Sequence, residues 1–559
     1  ETTLVSVLST EPSNKVALER LYGVATKTGD KALARSSLER LAESETDLAQ
    51  RTEYLLRVAE ACREANDGNG MLRALSDAVV STPADIRPWT LLSRCYRSDT
   101  QEGAAGLARS IEQIIEMAKA RRRPIEARWL FTLGLLEVNM LKRVTDGIAH
   151  LQTAVSVAAA PGSPPGTVGE VRAGLGAGLL AAGRNKEAVQ ILRDLVSTDA
   201  ETLLRLAEPA SFITVRNAAV APTGPVLAAV LACLDAALST EGRAEECVPV
   251  EEVRALMGDL GGERVAKLRA RRLDPDVPFA NGYIGSELSK ALVPEARTPV
   301  VDLAVAIQPI AAKALRFELA TLGISSRDRI GPRDGHPTRH LADRIARCLG
   351  IQEYELYLTQ SWSGAIRVYP GDPPALVGPV GLVDLPEGEQ LFALGRLMTR
   401  IALGMTWLDE ISVDVADALL LASMRSVLPQ FGLGEVSQAR EHSVGQLLPS
   451  VQRAIGRKQR RALEELAPTL PATFDFRSLS IALRRSEYRL GYVLSGDLLG
   501  CLEYLKRFDA DIGRAAESSR IYLQHPVTSE LIRYALGPDS YQERRRVGTL
   551  WTGTRQTMA

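Results

Sequence analysis

Residues 171–200, VRAGLGAGLLAAGRNKEAVQILRDLVSTDA, read as two helices joined by a tight turn. Leu175 and Leu179 stand four apart, and Ala188 and Leu192 repeat that spacing after Gly183. Four-residue spacing puts side chains on one helix face. Glycine readily takes the left-handed conformation that ends a helix. Small residues such as Ala188 let two antiparallel helices approach closely, and large ones fill the groove between neighbouring pairs. One pair cannot bury its apolar face alone, so the pattern predicts a stack of several.

The same comb recurs upstream. It fits Leu21, Ala25, Gly29, Ala34, Leu38 and Leu41, and it fits again at Trp89, Leu92, Tyr96 and Ala105. A weaker copy begins at Trp129 with Leu133-Gly134. Another, around Val58, Ala74 and Pro83, needs a small insertion near Gly68-Asn69-Gly70. About five units precede residue 201. The Leu175-Gly176 pair, followed by Leu179, Ala188 and Leu192, resembles the tetratricopeptide repeat, and the resemblance covers about a third of the chain. In that family the concave face usually binds peptides or proteins. The resemblance therefore implies other proteins as partners through that face, and no residue identifies one. Gly174, Gly176 and Gly178 invite a dinucleotide reading, but that fingerprint needs a preceding strand. Here the glycines lie inside a repeat helix, where they serve packing.

Composition agrees with helices. Of 559 residues, 5% are aromatic, 45% hydrophobic and 24% charged, with Ala, Leu and Arg abundant. Ala, Leu and Arg are strong helix formers, and aromatics favour strands. A formal net charge of −1 gives no general pull toward nucleic acid or an anionic membrane. Nucleic acid is not an expected partner. No apolar run reaches the roughly 20 residues that cross a bilayer. Six dispersed cysteines form no CxxC pair, which suits a reducing compartment and a cytoplasmic protein. High Ala and Arg over Lys point to a bacterial, GC-rich source.

The expected fold class is mainly α: a tetratricopeptide-like α-solenoid followed by a mostly helical α+β domain with a small sheet. Repeats are expected over 1–215. A helical connector and linker follow over 216–295, with VRNAAVAPTGPV (215–226) as a break and LDPDVPFANGYIG (273–285) as the linker. A second domain is expected over 296–540, its sheet near 361–385. A polar tail over 541–559 carries an isolated Trp551.

In the second domain, VVDLAVAIQPIAAKALRFELATLG and RHLADRIARCLG read as helices. YELYLTQSWSGAIRVYPGDPPALVGPVGLVDL has the short apolar alternations, broken by Gly and Pro, of strands. LPEGEQLFALGRLMTRIALG is again helical, and SIALRRSEYRLGYVLSGDLLGCLEYLKRF holds one or two more helices. This order resembles the M48 class of zinc metallopeptidases over residues 296–510. In that class the helix after the sheet carries HExxH, and a later helix carries a Glu ligand followed by Ala-Asp. Two His on one helix face and a Glu from another would hold Zn²⁺, with the intervening Glu as general base. Aligned on that pattern, Arg396 and Arg400 stand at the His positions and Leu397 at the base. Arg484 stands at the third ligand position and Tyr488 at the Asp position. Arginine stays protonated and cannot ligate zinc. The resemblance thus implies an inactive peptidase-like domain, with no cofactor and no metal.

Three converging arginines would need partners or an anion, and Glu487 and Asp497 are the internal candidates. His336, His340 and Cys348 could suggest a metal, but no fourth ligand is evident, and the five histidines are scattered. The basic runs at Lys119–Arg123, Arg457–Arg461 and Arg544–Arg546 read as solvated surface. The expected function is a protein–protein interaction scaffold or adaptor in a bacterial multiprotein assembly, not an enzyme. Two alternatives stay open: a hydrolase with an unrecognised active site, and a regulator that senses an anion or nucleotide. Self-association stays open as well.

Overall fold

Capping side chains mark where helices begin. Asn14, Asp30, Asp47, Asp67 and Asp85 each accept a backbone N–H from the first turn of the helix that follows. They satisfy donors that the helix itself leaves open. The computed structural model describes residues 2–163, 167–208, 226–270, 282–284, 286–315, 317–515 and 520–550. The break read at 215–226 up to residue 225, most of the 273–285 linker, and the end of the tail from Trp551 onward lie outside those residues. The architecture is mainly α with one small sheet, as the sequence leads one to expect. The chain divides into two compact units: Glu1–Leu195 with Glu201–Gly242, and Val196–Ala200 with Arg243–Ala559.

The first unit opens with α1 (Thr2–Thr10). Antiparallel pairs follow: α2 (Lys15–Thr28) with α3 (Lys31–Ser44), and α4 (Leu48–Glu64) with α5 (Gly68–Ser81). Next come α6 (Ile86–Arg94) and α7 (Gln101–Ala120), then α8 (Ala127–Leu136) and α9 (Val144–Ala158). α10 (Thr167–Ala181), α11 (Asn185–Ser197), α12 (Ala200–Leu206) and α13 (Val226–Thr240) complete the series. α13 packs on α10.

The repeat positions form the core of these pairs. Leu21, Trp89, Leu92, Leu175 and Ala188 are buried, while Ala34, Tyr96 and Ala105 are half-buried. At the start of α7 the fully covered alanine is Ala104, beside Ala105. The Tyr96 hydroxyl meets Ser110 Oγ at 2.5 Å. Gly68 to Gly70 open α5 under the Asp67 cap, so they are the first turn of a helix. The glycines of α10 face three neighbours: a Cβ at Gly174 would collide with Phe131, at Gly176 with Leu192, and at Gly178 with Leu151. Helix packing therefore accounts for all three.

The second unit continues with α14 (Ala244–Leu256), α15 (Gly262–Arg269), α16 (Ser286–Ala291), α17 (Pro299–Leu315) and α18 (Pro337–Leu349). β1 (Glu355–Thr359), β2 (Arg367–Tyr369) and β3 (Ala375–Pro379) form a sheet in the order β1-β3-β2. β3 is parallel to β1 and antiparallel to β2, with Leu376 opposite both Leu356 and Val368. α19 (Glu387–Ala402) follows the sheet, then α20 (Val413–Arg425), α21 (Gln438–Ala454) and α22 (Arg457–Leu466). α23 (Phe476–Ser495) and α24 (Leu498–Phe508) come next, then α25 (Ala510–Ala515) and α26 (Arg520–Gln524). α27 (Pro526–Leu536) and α28 (Pro538–Val547) close the unit, so α28 runs into the segment read as tail. α19 packs along α23, with α18 and α24 at its sides.

Candidate functional site

Two glycines set the closest approach of α19 to α23. A Cβ on Gly395 would meet the Gly491 Cα at 3.4 Å, and a Cβ on Gly491 would meet the Phe392 carbonyl oxygen at 3.2 Å. Arg396 and Arg400 share a face of α19 by their four-residue spacing. Arg484, Glu487 and Tyr488 lie within one turn of α23.

Arg400 is buried, and its Nε and Nη2 donate to the two oxygens of Glu487 at 2.6 and 2.8 Å. Its Nη1 donates to Asp409. Arg484, half exposed, donates from Nη2 to the other oxygen of Asp409 at 2.8 Å. Arg396 donates from Nη1 to the Tyr488 hydroxyl at 3.1 Å, its guanidinium 5.5 Å from the ring centroid. That ring stacks on Phe392 at 5.9 Å. Leu397 is buried. Burial alone would lift the Asp409 carboxyl, but Arg400 and then Arg484 outweigh it and hold it below the usual aspartate range.

The structure thus brings Arg400 and Arg484 onto one carboxylate and sets Arg396 against Tyr488. Of the two carboxylates the sequence offered, Glu487 pairs with Arg400. Asp497 is instead the cap of α24, accepting from the Gly500 N–H at 2.8 Å. Sequence reading missed Asp409, which lies in the turn after α19. The signal was there in Asp409-Glu410, two carboxylates directly after the apolar Trp407-Leu408.

A cavity of about 350 Å³ lies near the N-terminal ends of α19 and α24, and Glu389, Asp497, Glu503 and Arg507 line it. Glu389 is buried, and burial raises its carboxyl, opposed by Arg507 and reinforced by Glu503 and Asp497. Arg507 approaches Glu389 at 3.4 Å. Elsewhere, His336 precedes α18 at its cap position, with His340 inside the helix and Cys348 buried near its end. Among the described residues no group of three or more His, Cys, Asp and Glu is placed to hold a metal ion. Nor, among them, is any helix long and apolar enough to cross a membrane.

No family model matches the chain, and no curated protein matches it. Among solved structures it is similar to a chain of Naa15/Naa10 bound to HypK-THB, with 15% identity and a TM-score of 0.27. That alignment covers 100% of this chain and 66% of the other, so the chain spans under two thirds of its neighbour's length. At that TM-score the likeness decides nothing about function.

Proposed function

We propose that the protein is an interaction scaffold: an array of helix pairs that docks partner proteins, joined to a peptidase-like domain over 296–540 that has exchanged metal chemistry for an ion-pair lock. The observation that carries this reading is the arrangement around Arg400. On the peptidase-like alignment, the positions of two histidines, a base and a glutamate hold Arg396, Arg400, Leu397 and Arg484. Guanidinium groups offer no lone pair to zinc. Here they are turned onto Glu487, Asp409 and Tyr488, which supports a structural role for the whole cluster. The array supports docking, because stacked pairs expose long continuous faces. Metal analysis of the purified chain tests the exchange. The expected result is no stoichiometric zinc; one zinc per chain, lost on Glu487→Gln, contradicts it.

A second reading, a hydrolase with a different active site, is favoured by the 350 Å³ cavity, where a buried carboxyl with a raised pKa stands in a cleft. Under that reading Glu389→Gln abolishes an activity found by substrate screening. Under the scaffold reading no activity depends on Glu389.

A further inference from the structure

Repeats place equivalent residues on a common face, and in the first unit they do so with arginine. Arg35 on α3, Arg73 on α5 and Arg109 on α7 line one groove of about 1180 Å³. Leu72 and Met117, both half-buried, contribute its apolar surface.

The arginines of the groove fall into two sets. Arg35 is held by Glu39 at 2.9 Å and Asp67 at 2.8 Å. Arg51 and Arg121 share Asp77. Arg73 and Arg109 are exposed, and their Nε atoms reach only the carbonyls of Asn69 and Ala105 in their own helices, at 3.4 Å. Among the described residues neither makes an ion pair with a carboxylate. Arg121 also belongs to the basic run at the end of α7, where Arg122 and Arg123 likewise lack a carboxylate partner among the described residues. Lys119 of that run pairs with Glu116 at 2.8 Å. The groove's acidic side chains are Glu39, Glu43 and Asp77, and only Glu43, on the α3 side, has no ion-pair partner among the described residues. The available positive charge is therefore concentrated along α5 and α7.

We propose that this groove takes an acidic, extended peptide segment of a partner protein, with its carboxylates on Arg73 and Arg109 and its end toward the basic run. The proposal rests on the scaffold reading and names the chemistry of the partner. Planar guanidinium forks match carboxylates two bonds at a time. Apolar residues of the segment, which alternate sides along an extended chain, would cover Leu72 and Met117. A nucleic acid fits less well. Its phosphates repeat at every nucleotide and would meet the carboxylates of Glu39 and Glu43 as well as the arginines.

The test is fluorescence anisotropy of the whole chain with a labelled twelve-residue peptide carrying Glu at every second position, with Leu and Ala in turn between them. The control peptide replaces Glu by Gln. The expected results are binding of the Glu peptide alone and a loss of roughly tenfold or more in affinity in R73E/R109E. Binding should also weaken from about 50 to about 300 mM salt. E43K, which removes the opposing charge, should tighten binding and guards against misfolding of the double variant. Equal binding of the two peptides, no effect of either variant, or displacement by a single-stranded oligonucleotide at lower concentration would each overturn the proposal. Failure here with a partner still co-purifying from cells leaves the scaffold reading standing; absence of any partner removes both.

Discussion

Arg400 meets Glu487 through two parallel hydrogen bonds, Nε to Oε1 and Nη2 to Oε2, with both side chains almost wholly buried. A bidentate pair of this kind ties α19 to α23 with fixed register and leaves little of either charge to solvent. Removing one partner strands the other charge in a poorly solvated place, and without Arg400 the Asp409 carboxylate keeps only Arg484.

Arg400→Met should therefore cost about 3–5 kcal/mol, measured as the shift of the urea unfolding curve of the second unit. The double variant R400M/E487M should recover part of that loss, since apolar side chains of similar size can replace a buried pair. Additive losses in the double variant would show that the two residues do not act as a pair.

Asp409 makes the lock sensitive to acid. Its folded pKa lies below the unfolded value of about 3.9. The folded state thus binds its proton less readily than the unfolded state. The stability it contributes is complete above the unfolded pKa and is lost as pH falls through the depressed folded value. Asp409→Asn should be less stable than wild type at neutral pH, and the gap should close under acid. Thermal melts over a pH series measure that gap, and a gap that does not vary with pH contradicts the assignment.

Glu389 should behave in the opposite sense. Its folded pKa is raised, chiefly by burial, so its ionisation above the unfolded value of about 4.3 costs the native state stability. Glu389→Gln should gain stability relative to wild type as pH rises from acid to neutral. A variant less stable than wild type at neutral pH would show that the contact with Arg507 outweighs burial.

The α8–α9 crossing should tolerate no added atom. A Cβ on Gly134 would meet the Gly147 carbonyl oxygen at 2.7 Å, and one on Gly147 would meet the Gly134 carbonyl oxygen at 2.8 Å. Backbone cannot step aside as a side-chain tip can. Gly134→Ala should destabilise by about 1–3 kcal/mol despite alanine's better helix propensity. Thermal unfolding followed by circular dichroism measures it.

The repeat array was largely legible because its signals are local. Leu175, Gly176, Ala188 and Leu192 lie within eighteen residues, and the tight turn at Gly183 folds α11 back so that Leu192 packs on Gly176. The order of helices around the sheet was legible for the same reason. Small registers were harder. Ala104 and Ala105 are both small, and sequence cannot say which one a neighbouring helix covers. The lock was half legible. Glu487 shares α23 with Arg484 and Tyr488, so helical spacing suggested it. Asp409 lies in an irregular turn, where no periodicity predicts direction, and only tertiary packing brings it to Arg400 and Arg484. That Arg73 and Arg109 make no ion pair among the described residues was beyond sequence, because Asp77 and Asp67 had first to be assigned to other arginines.

The proposed scaffold role requires that this protein hold other proteins. Its most direct test is quantitative affinity purification of the tagged chain from its native cell after mild crosslinking, with absolute quantitation of co-purifying proteins. At least one partner is expected at near-stoichiometric amount, held without regard to zinc or chelator. A clean monomer with no partner would contradict it.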